Sequence, residues 1–201
     1  MLQCGVDPHR PLIAQVSRLS TWKNPWQVID VYRLVKQRHP AVQVALIGAM
    51  EASDDIEAAA VFRDLQHDAS TDPDIHVLAD PHLITQREVN AFQRLASVIL
   101  QRSAREGFGL TTTEAMWKYQ PVVGTSATGL SLQITHGKNG YVADDTAACA
   151  RMTLNLLEDP VTGRELGKQA HEQVRQHFLF PTFVLQYLRA LQQARDVLPR
   201  R

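Results

Sequence analysis

A glycine-rich stretch in the middle of the chain has the residue types and spacing of an anion-binding loop. Residues 105–115 read REGFGLTTTEA, and they follow a short apolar run and precede a helical pattern. The first amides of a helix have no partners within the helix, and together with the helix dipole they attract phosphate. Gly107 and Gly109 lack a Cβ atom and allow a ligand to approach the backbone closely. We therefore predict that residues 107–111 bind a diphosphate.

Two carboxylates bracket this loop, Glu106 before the glycines and Glu114 in the helix that follows. Together they could bind hydroxyl groups of one ligand whose phosphates lie on the loop. Glu106 has no obvious partner nearby in the sequence. For Glu114 the spacing leaves a second role open, because Thr111 and Glu114 also form a capping-box pattern that would bond the amide of Thr111. Arg105 is expected to pair with an acidic residue elsewhere in the chain.

A second polar cluster follows the first predicted strand, where residues 17–23 read SRLSTWK. Arg18 offers a planar fork of donors and Lys23 a compact charge, and both suit a diphosphate. In open α/β sheets, ligands bind outside the carboxyl ends of the strands, where both clusters would lie. The alternative is a solvated surface loop. Trp22 and Trp26 are predicted to pack rather than to stack on a nucleotide base.

The elements that must position these clusters alternate along the chain. Apolar runs that suit both faces of a buried sheet are separated by helical patterns, which predicts parallel strands covered on both sides. We predict one doubly wound, Rossmann-like α/β domain over residues 1–201. The predicted strands span residues 12–16, 42–47, 75–78, 98–100, 121–123 and 140–142.

Helical patterns fill the remaining segments. One helix spans residues 26–37 with Pro25 in its first turn, a second runs through about residue 66, a third spans 85–95 with Thr85 and Glu88 as a capping box, and a fourth spans 112–118. From residue 146 to about 194 the pattern is helical in three pieces, with breaks near residues 159–160 and 180–181. The last piece carries an apolar stripe that is predicted to complete the core, the alternative being contact with a part outside this chain.

Composition excludes several classes of function. Lys plus Arg number 21, as do Asp plus Glu, so no basic excess suggests a nucleic-acid or membrane binder. Cys4 and Cys149 are far apart and the eight histidines lack ligand spacing, so we predict no metal site. No apolar run reaches the ~20 residues that cross a bilayer, and no signal-peptide pattern is present. We expect a cytoplasmic protein without a tightly bound cofactor.

Several motifs resemble those of family-4 retaining glycosyltransferases. Glu106 to Leu110 with Glu114 resembles their paired-glutamate motif, and Gln15 to Leu19 followed by Lys23 is similar to their donor-phosphate loop. Residues 87–94 and 114–118 are similar to the trehalose synthase branch of that family. The resemblance covers about residues 6–191. It implies a hexosyltransferase that moves glucose from a nucleotide to glucose or a related sugar, with retention of configuration.

The resemblance also implies a role for each matching residue. Arg18 and Lys23 would neutralise the donor diphosphate, Glu106 would lie at the transferred sugar, and Glu114 would hold the ribose hydroxyls. Residues 80–85 would border the base. The donor-binding loop would comprise Gly107, Phe108, Gly109, Leu110 and Thr111, with amides of Gly109 and Leu110 on the phosphates. Many relatives have a Gly-Gly-apolar-Pro-Glu stretch where this chain has residues 127–131, so no sugar contact is assigned there.

Glycosyltransferases of this family have the GT-B architecture, with the active site between two such domains. The resemblance implies that this chain is the carboxyl-terminal, donor-binding half, with residues 1–10 as a linker remnant and residues 181–196 as a helix that crosses to the other half. The acceptor would bind through an amino-terminal domain, and the isolated chain is expected to be inactive.

Several points stay open at the level of sequence. The donor is expected to be a nucleoside diphosphate glucose in its UDP, ADP or GDP form. Mg²⁺ is compatible with such a donor, but we assign it no protein ligands. The alternatives are a non-catalytic nucleotide-sugar-binding module or subunit, and a non-hydrolysing nucleotide-sugar epimerase.

Overall fold

The computed structural model describes residues 4–48 and 56–197, which form a six-stranded parallel sheet with helices on both faces. The strand order is β3-β2-β1-β4-β5-β6. The strands are β1 Leu12–Val16, β2 Gln43–Ile47, β3 Ile75–Leu78, β4 Val98–Gln101, β5 Val122–Gly124 and β6 Tyr141–Val142. The predicted parallel sheet is confirmed, and each strand differs from its predicted bounds by at most one residue at either end.

Eight helices connect and follow the strands in the described part of the chain. Their bounds are α1 Pro25–Lys36, α2 Ile56–Ser70, α3 Gln86–Leu95, α4 Leu110–Trp117, α5 Thr128–Ser131, α6 Thr146–Glu158, α7 Pro160–His177 and α8 Phe180–Val197. A 3-10 turn, Thr21–Lys23, precedes α1. No helix among these is long and apolar enough to cross a membrane. The acidic loop predicted around residues 54–55 lies outside the described residues.

Every residue of β1 and β2 is buried, because the sheet is covered on both faces. Side chains alternate between two cores along β1, with Ile13 on one face and Leu12, Ala14 and Val16 on the other. Helices α1, α2 and α6 line the first core, α3 and α4 line the second, and α7 contributes to both. This arrangement explains why the strands have continuous apolar runs rather than an alternating pattern.

Local signals fix most helix starts. Thr85 caps α3 with the predicted box: its hydroxyl accepts from the amide of Arg87 at 3.2 Å, and Glu88 accepts from the amide of Thr85 at 3.1 Å. Helix α4 begins two residues before the predicted position. Gly109 adopts φ 88°, a conformation that favours glycine, and so serves as its N-cap.

The prediction that the stripe of α8 completes the core is wrong. Its large apolar side chains are exposed, with Phe183 at 61% and Leu188 at 55%. Helix α8 touches the domain mainly through α7. The spacing of an apolar stripe predicts that one face of a helix is covered but does not identify what covers it.

The strand order places a topological switch point between β1 and β4. From β1 the sheet continues through β2 and β3 in one direction, and from β4 it continues through β5 and β6 in the other. In doubly wound sheets the two connections at such a point diverge and leave a crevice at the carboxyl ends of the strands. The two polar clusters predicted to bind phosphate follow β1 and β4.

Candidate functional site

The loops after β1 and β4 meet at the switch point. The ammonium group of Lys23 forms an ion pair with the carboxylate of Glu106, and their side chains are 17% and 11% exposed. The hydroxyl of Ser103 donates to the same carboxylate oxygen at 3.4 Å. Lys23 from the cluster after β1 and Glu106 from the cluster after β4 therefore lie in contact. Glu106 has one partner in its own loop, Ser103, and a charged partner across the crevice, Lys23.

The start of helix α4 presents free backbone donors. Gly109 occupies the N-cap position, and no side chain caps the helix. The amides of Gly109, Leu110 and Thr111 have no hydrogen-bond partner within residues 4–48 and 56–197, whereas the next two amides bond the carbonyl of Gly109. Three unpaired donors at the positive end of a helix form an anion-binding arrangement.

Glu114 does not form the capping box that its spacing allowed. Because α4 begins at Leu110, Thr111 lies inside the helix rather than at its N-cap. The carboxylate of Glu114 instead accepts from Nε2 of Gln93 at 3.0 Å, and Oε1 of Gln93 accepts from Nζ of Lys118 at 2.7 Å. Burial lowers the pKa of Lys118. Glu114 itself is exposed and can accept a further hydrogen bond.

Arg18 and Arg105 differ from one another in their surroundings. Arg18 is exposed and has no polar partner in the described part of the chain, and it does not line the cavity beside Glu106. Within the described residues its guanidinium is therefore free to bind a ligand. Contrary to the prediction, no acidic residue within residues 4–48 and 56–197 pairs with Arg105; its guanidinium lies 4.6 Å from the ring centre of Trp22, which is 50% exposed.

Two strand glutamines, Gln15 and Gln101, hold the loops in place, and the sequence analysis assigned no role to either. Gln15 donates to the carbonyl of Lys23 at 3.1 Å and accepts from the amide of Arg102 at 3.0 Å, so it ties the two loops together. Gln101 donates to the carbonyl of Val16 and to the hydroxyl of Thr111, both at 3.1 Å. A polar residue within or at the end of an otherwise apolar strand was the signal available in the sequence.

Arg102 is a second feature that the sequence analysis missed. Its side chain is 0% exposed, yet no carboxylate pairs with it among the described residues. The guanidinium donates to the carbonyls of Ala143 and Asp144 and to Oε1 of Gln27, at 2.6 Å for Asp144 and 3.1 Å for Gln27. It thereby fastens the loop after β6 to the loop after β4. A buried guanidinium satisfied by carbonyl groups retains its positive charge near the crevice.

A cavity of about 720 Å³ opens beside Glu106. Segments that follow β4, β5 and β6 form most of its wall, and α1 contributes Gln27. The wall is rich in hydrogen-bonding side chains, among them Ser103, Thr125, Ser126 and Asp144. A sugar requires a concave surface with several donors and acceptors, which this cavity provides. The described residues contain no group of three or more His, Cys, Asp or Glu side chains arranged for a metal ion.

Comparison with known proteins shows the family of this chain. Residues 3–176 match the family described as Glycosyl transferases group 1. The chain is 47% identical over 183 residues to trehalose synthase of Thermococcus litoralis, which covers 91% of this chain and 44% of that protein. It is 33% identical over 168 residues to D-inositol 3-phosphate glycosyltransferase of Pseudarthrobacter chlorophenolicus, covering 83% and 39%. The chain thus spans less than half the length of these relatives.

Solved structures share the fold at low sequence identity. Anabaena Alr3699/HepE in complex with UDP superposes with a TM-score of 0.78 at 21% identity, over 92% of this chain and 49% of that one. The C-terminal domain of the glycosyl transferase group 1 family protein LpcC from Francisella tularensis gives a TM-score of 0.71 at 19% identity, over 85% and 87%. These similarities confirm the predicted Rossmann-like fold of one GT-B half.

Proposed function

Because the chain belongs to the glycosyl transferases group 1 family, we propose that it is the donor-binding half of a retaining glucosyltransferase. The observation that carries this proposal is the start of α4, where three unpaired amides lie next to the Lys23–Glu106 ion pair. A nucleoside diphosphate offers two phosphates for the amides and Lys23, and its ribose offers hydroxyls to Glu114. The UDP bound to Alr3699/HepE, which shares the fold, is a ligand of this class.

The transferred sugar would occupy the cavity beside Glu106. When the bond between the sugar and the diphosphate breaks, its electron pair stays on the diphosphate and the sugar becomes positively charged. Lys23 and the amides at the start of α4 would stabilise the negative charge. Glu106 would bond the sugar hydroxyls or stabilise the positive charge. Arg18 would join the diphosphate by a movement of its exposed side chain.

We further propose that the donor is a nucleoside diphosphate glucose and that the acceptor is glucose or a related sugar. The similarity to several trehalose synthases, at 44–47% identity, supports this assignment. The described residues contain no second domain that could position an acceptor opposite the cavity. The acceptor would therefore bind through an amino-terminal half of the kind that the longer relatives have. The exposed aromatic side chains of α8 would face that half.

Without an acceptor half, the cleft would be open to water. Water screens the charges that stabilise the leaving group, and an acceptor that is not positioned reacts slowly. We expect the 201-residue chain to bind a donor nucleotide and to transfer little or no sugar. Measurable glucosyl transfer by the purified chain alone would show that no acceptor half is needed and would contradict this part of the proposal.

Calorimetry can test the donor site. UDP, ADP, GDP and their glucose conjugates would be titrated into the wild-type chain, Arg18→Ala and Glu114→Ala. We expect one nucleotide series to bind, and each variant to bind about tenfold more weakly, the value of one charge-assisted hydrogen bond. Gln120→Met is a matched control, because this side chain bonds the carbonyl of Arg94 at 2.9 Å, away from the crevice.

Four outcomes would contradict the proposal. Absence of binding by the wild-type chain, or unchanged binding in both variants, would remove the site assignment. A sugar nucleotide epimerised in the absence of an acceptor would indicate an epimerase. An amino-terminal half from a related trehalose synthase could also be added. If the chain binds the donor but no added half restores sugar transfer, the chain is a binding module without catalysis.

A further inference from the structure

Gln133 is a buried side chain that contacts the glycine loop. It is 1% exposed. Its Nε2 atom donates to the carbonyl of Phe108 and lies 3.3 Å from the carbonyl oxygens of both Gly109 and Gly129. Its Oε1 atom accepts from the hydroxyl of Thr113 at 2.7 Å. The three carbonyl oxygens can only accept hydrogen bonds, so the nitrogen of this amide must be the atom that faces them.

The direction of these carbonyls fixes the direction of the amides that a phosphate would bind. In a trans peptide the carbonyl of one residue and the N–H of the next point in opposite directions. The carbonyl of Phe108 shares a peptide with the N–H of Gly109, and the carbonyl of Gly109 shares one with the N–H of Leu110. Because both carbonyls point toward Gln133, both N–H groups point away from it. Those two amides lack partners in the described structure.

The segment around Gln133 packs closely against the glycine loop. A Cβ atom on Gly129 would lie 2.6 Å from the nitrogen of Phe108, so only glycine allows this close approach. The amide of Gly129 donates to the carbonyl of Glu106 at 2.9 Å. Asn139 in turn donates to the carbonyl of Gln133 at 2.9 Å and holds the segment from its far end.

We propose that Gln133 is a positioning residue for phosphate binding: it turns the peptides after Phe108 and Gly109 so that two amides face the donor diphosphate. The inference rests on the proposed function and adds a residue to it. Gln133 would not touch the ligand. It lies two residues after the stretch 127–131, to which the sequence analysis assigned no sugar contact.

The test compares two substitutions that keep the size of the side chain. Gln133→Glu is nearly isosteric, but a carboxylate has no hydrogen to donate to three carbonyl oxygens. Gln133→Met removes the donor without adding charge, and it serves if the glutamate variant does not fold. Gln120→Met removes a side-chain bond to a carbonyl at a distant position and controls for the general effect of losing such a bond.

The readouts are the affinity for the nucleoside diphosphate that the wild-type chain binds and the affinity for the matching nucleoside without phosphate. Calorimetry measures the first and an NMR titration the second, with thermal melting as the measure of folding. We expect both Gln133 variants to bind the diphosphate about tenfold or more weakly, the effect of misaligning one or two hydrogen bonds to a charged group. Nucleoside affinity should change by less than about threefold, because the nucleoside does not use these amides.

The possible results distinguish failure of the positioning role of Gln133 from failure of the proposed function. Diphosphate binding that survives in a folded Gln133→Glu or Gln133→Met protein would overturn the positioning role and leave the donor site intact. An equal loss for diphosphate and nucleoside would also overturn it, because a loosened fold would weaken both. If the wild-type chain binds no nucleoside diphosphate, the proposed function fails and this inference fails with it.

Discussion

The Lys23–Glu106 ion pair makes an unusual prediction about nucleotide binding. In the absence of ligand, the carboxylate neutralises the cation that would hold a diphosphate. Replacing Glu106 with glutamine should therefore strengthen binding of the free nucleoside diphosphate, because the phosphates no longer compete with a carboxylate. The same change should not strengthen binding of the glucose conjugate to the same extent, because the conjugate loses its contact with Glu106. Lys23→Met should weaken binding of both the free diphosphate and the glucose conjugate.

The exposure of the pair sets the size of the effect. Two unit charges about 4 Å apart interact by about 1 kcal/mol in water and by about 4 kcal/mol at the effective dielectric constant of a protein surface. The side chains are 17% and 11% exposed, so screening is incomplete. Part of the attraction is replaced by new contacts of the freed lysine. We expect a net gain of about 1–2 kcal/mol, or about 5- to 30-fold in affinity.

Calorimetry on the wild-type chain, both single variants and the double variant measures this coupling. The gain from Glu106→Gln should vanish in the Lys23→Met background, because no cation remains to be freed. Since the pair is partly buried, the gain should persist at 0.5 M salt, where exposed pairs are screened. Weaker or unchanged diphosphate binding by a folded Glu106→Gln protein would refute the reasoning. The lysine would then not lie where the phosphates bind.

Three further predictions concern other parts of the structure. Arg102→Met should lower the free energy of unfolding by about 2–4 kcal/mol in urea titrations, because two loop carbonyls lose their buried donor; a loss below about 1 kcal/mol would contradict this. A hydrogen bond from Arg10 lowers the pKa of Asp74 to about 2, below its ordinary 3.8. Ionised Asp74 therefore stabilises the fold above pH ~4, and this stabilisation is lost as the pH falls toward 2. Between pH 6 and pH 3, the free energy of unfolding of Asp74→Asn should fall by about 1 kcal/mol less than that of the wild-type chain. An equal fall in both proteins would show that ionised Asp74 does not stabilise the fold. Glu114→Gln should reduce the preference for a ribose nucleotide over its 2′-deoxy form by about tenfold in calorimetry, and a retained preference would exclude ribose contact.

The sheet could be predicted almost completely from the sequence. Strands buried on both faces produce uninterrupted apolar runs, and these runs match the observed strands closely. Their alternation with helices predicts the parallel topology. That topology in turn brings the loops after β1 and β4 to the same edge, so a contact such as the one between Lys23 and Glu106 was a reasonable expectation. The start of α4 was less predictable, because it depends on a positive φ at Gly109.

Contacts between distant side chains could not be predicted. The spacing of Glu114 favoured a local cap as much as a ligand role, and its partner Gln93 lies on another helix. Among the described residues Arg105 stacks on Trp22 and pairs with no acid, which depends on the side chain that the fold brings near. The amide of Gln133 acts on carbonyls more than 20 residues away in sequence. Such bonds have no periodicity and leave no pattern in a single sequence.

The strand order also has a consequence for how the chain folds during synthesis. Of the strands of this sheet, β1 is synthesised first, yet it occupies the middle of the sheet. Its second edge remains open until Val98, the partner of Ile13, has been translated. An unpaired edge next to apolar side chains invites association with other nascent chains. The crevice between β1 and β4, which holds the proposed nucleotide site, is therefore completed late, and we expect chaperones to be most needed before that point.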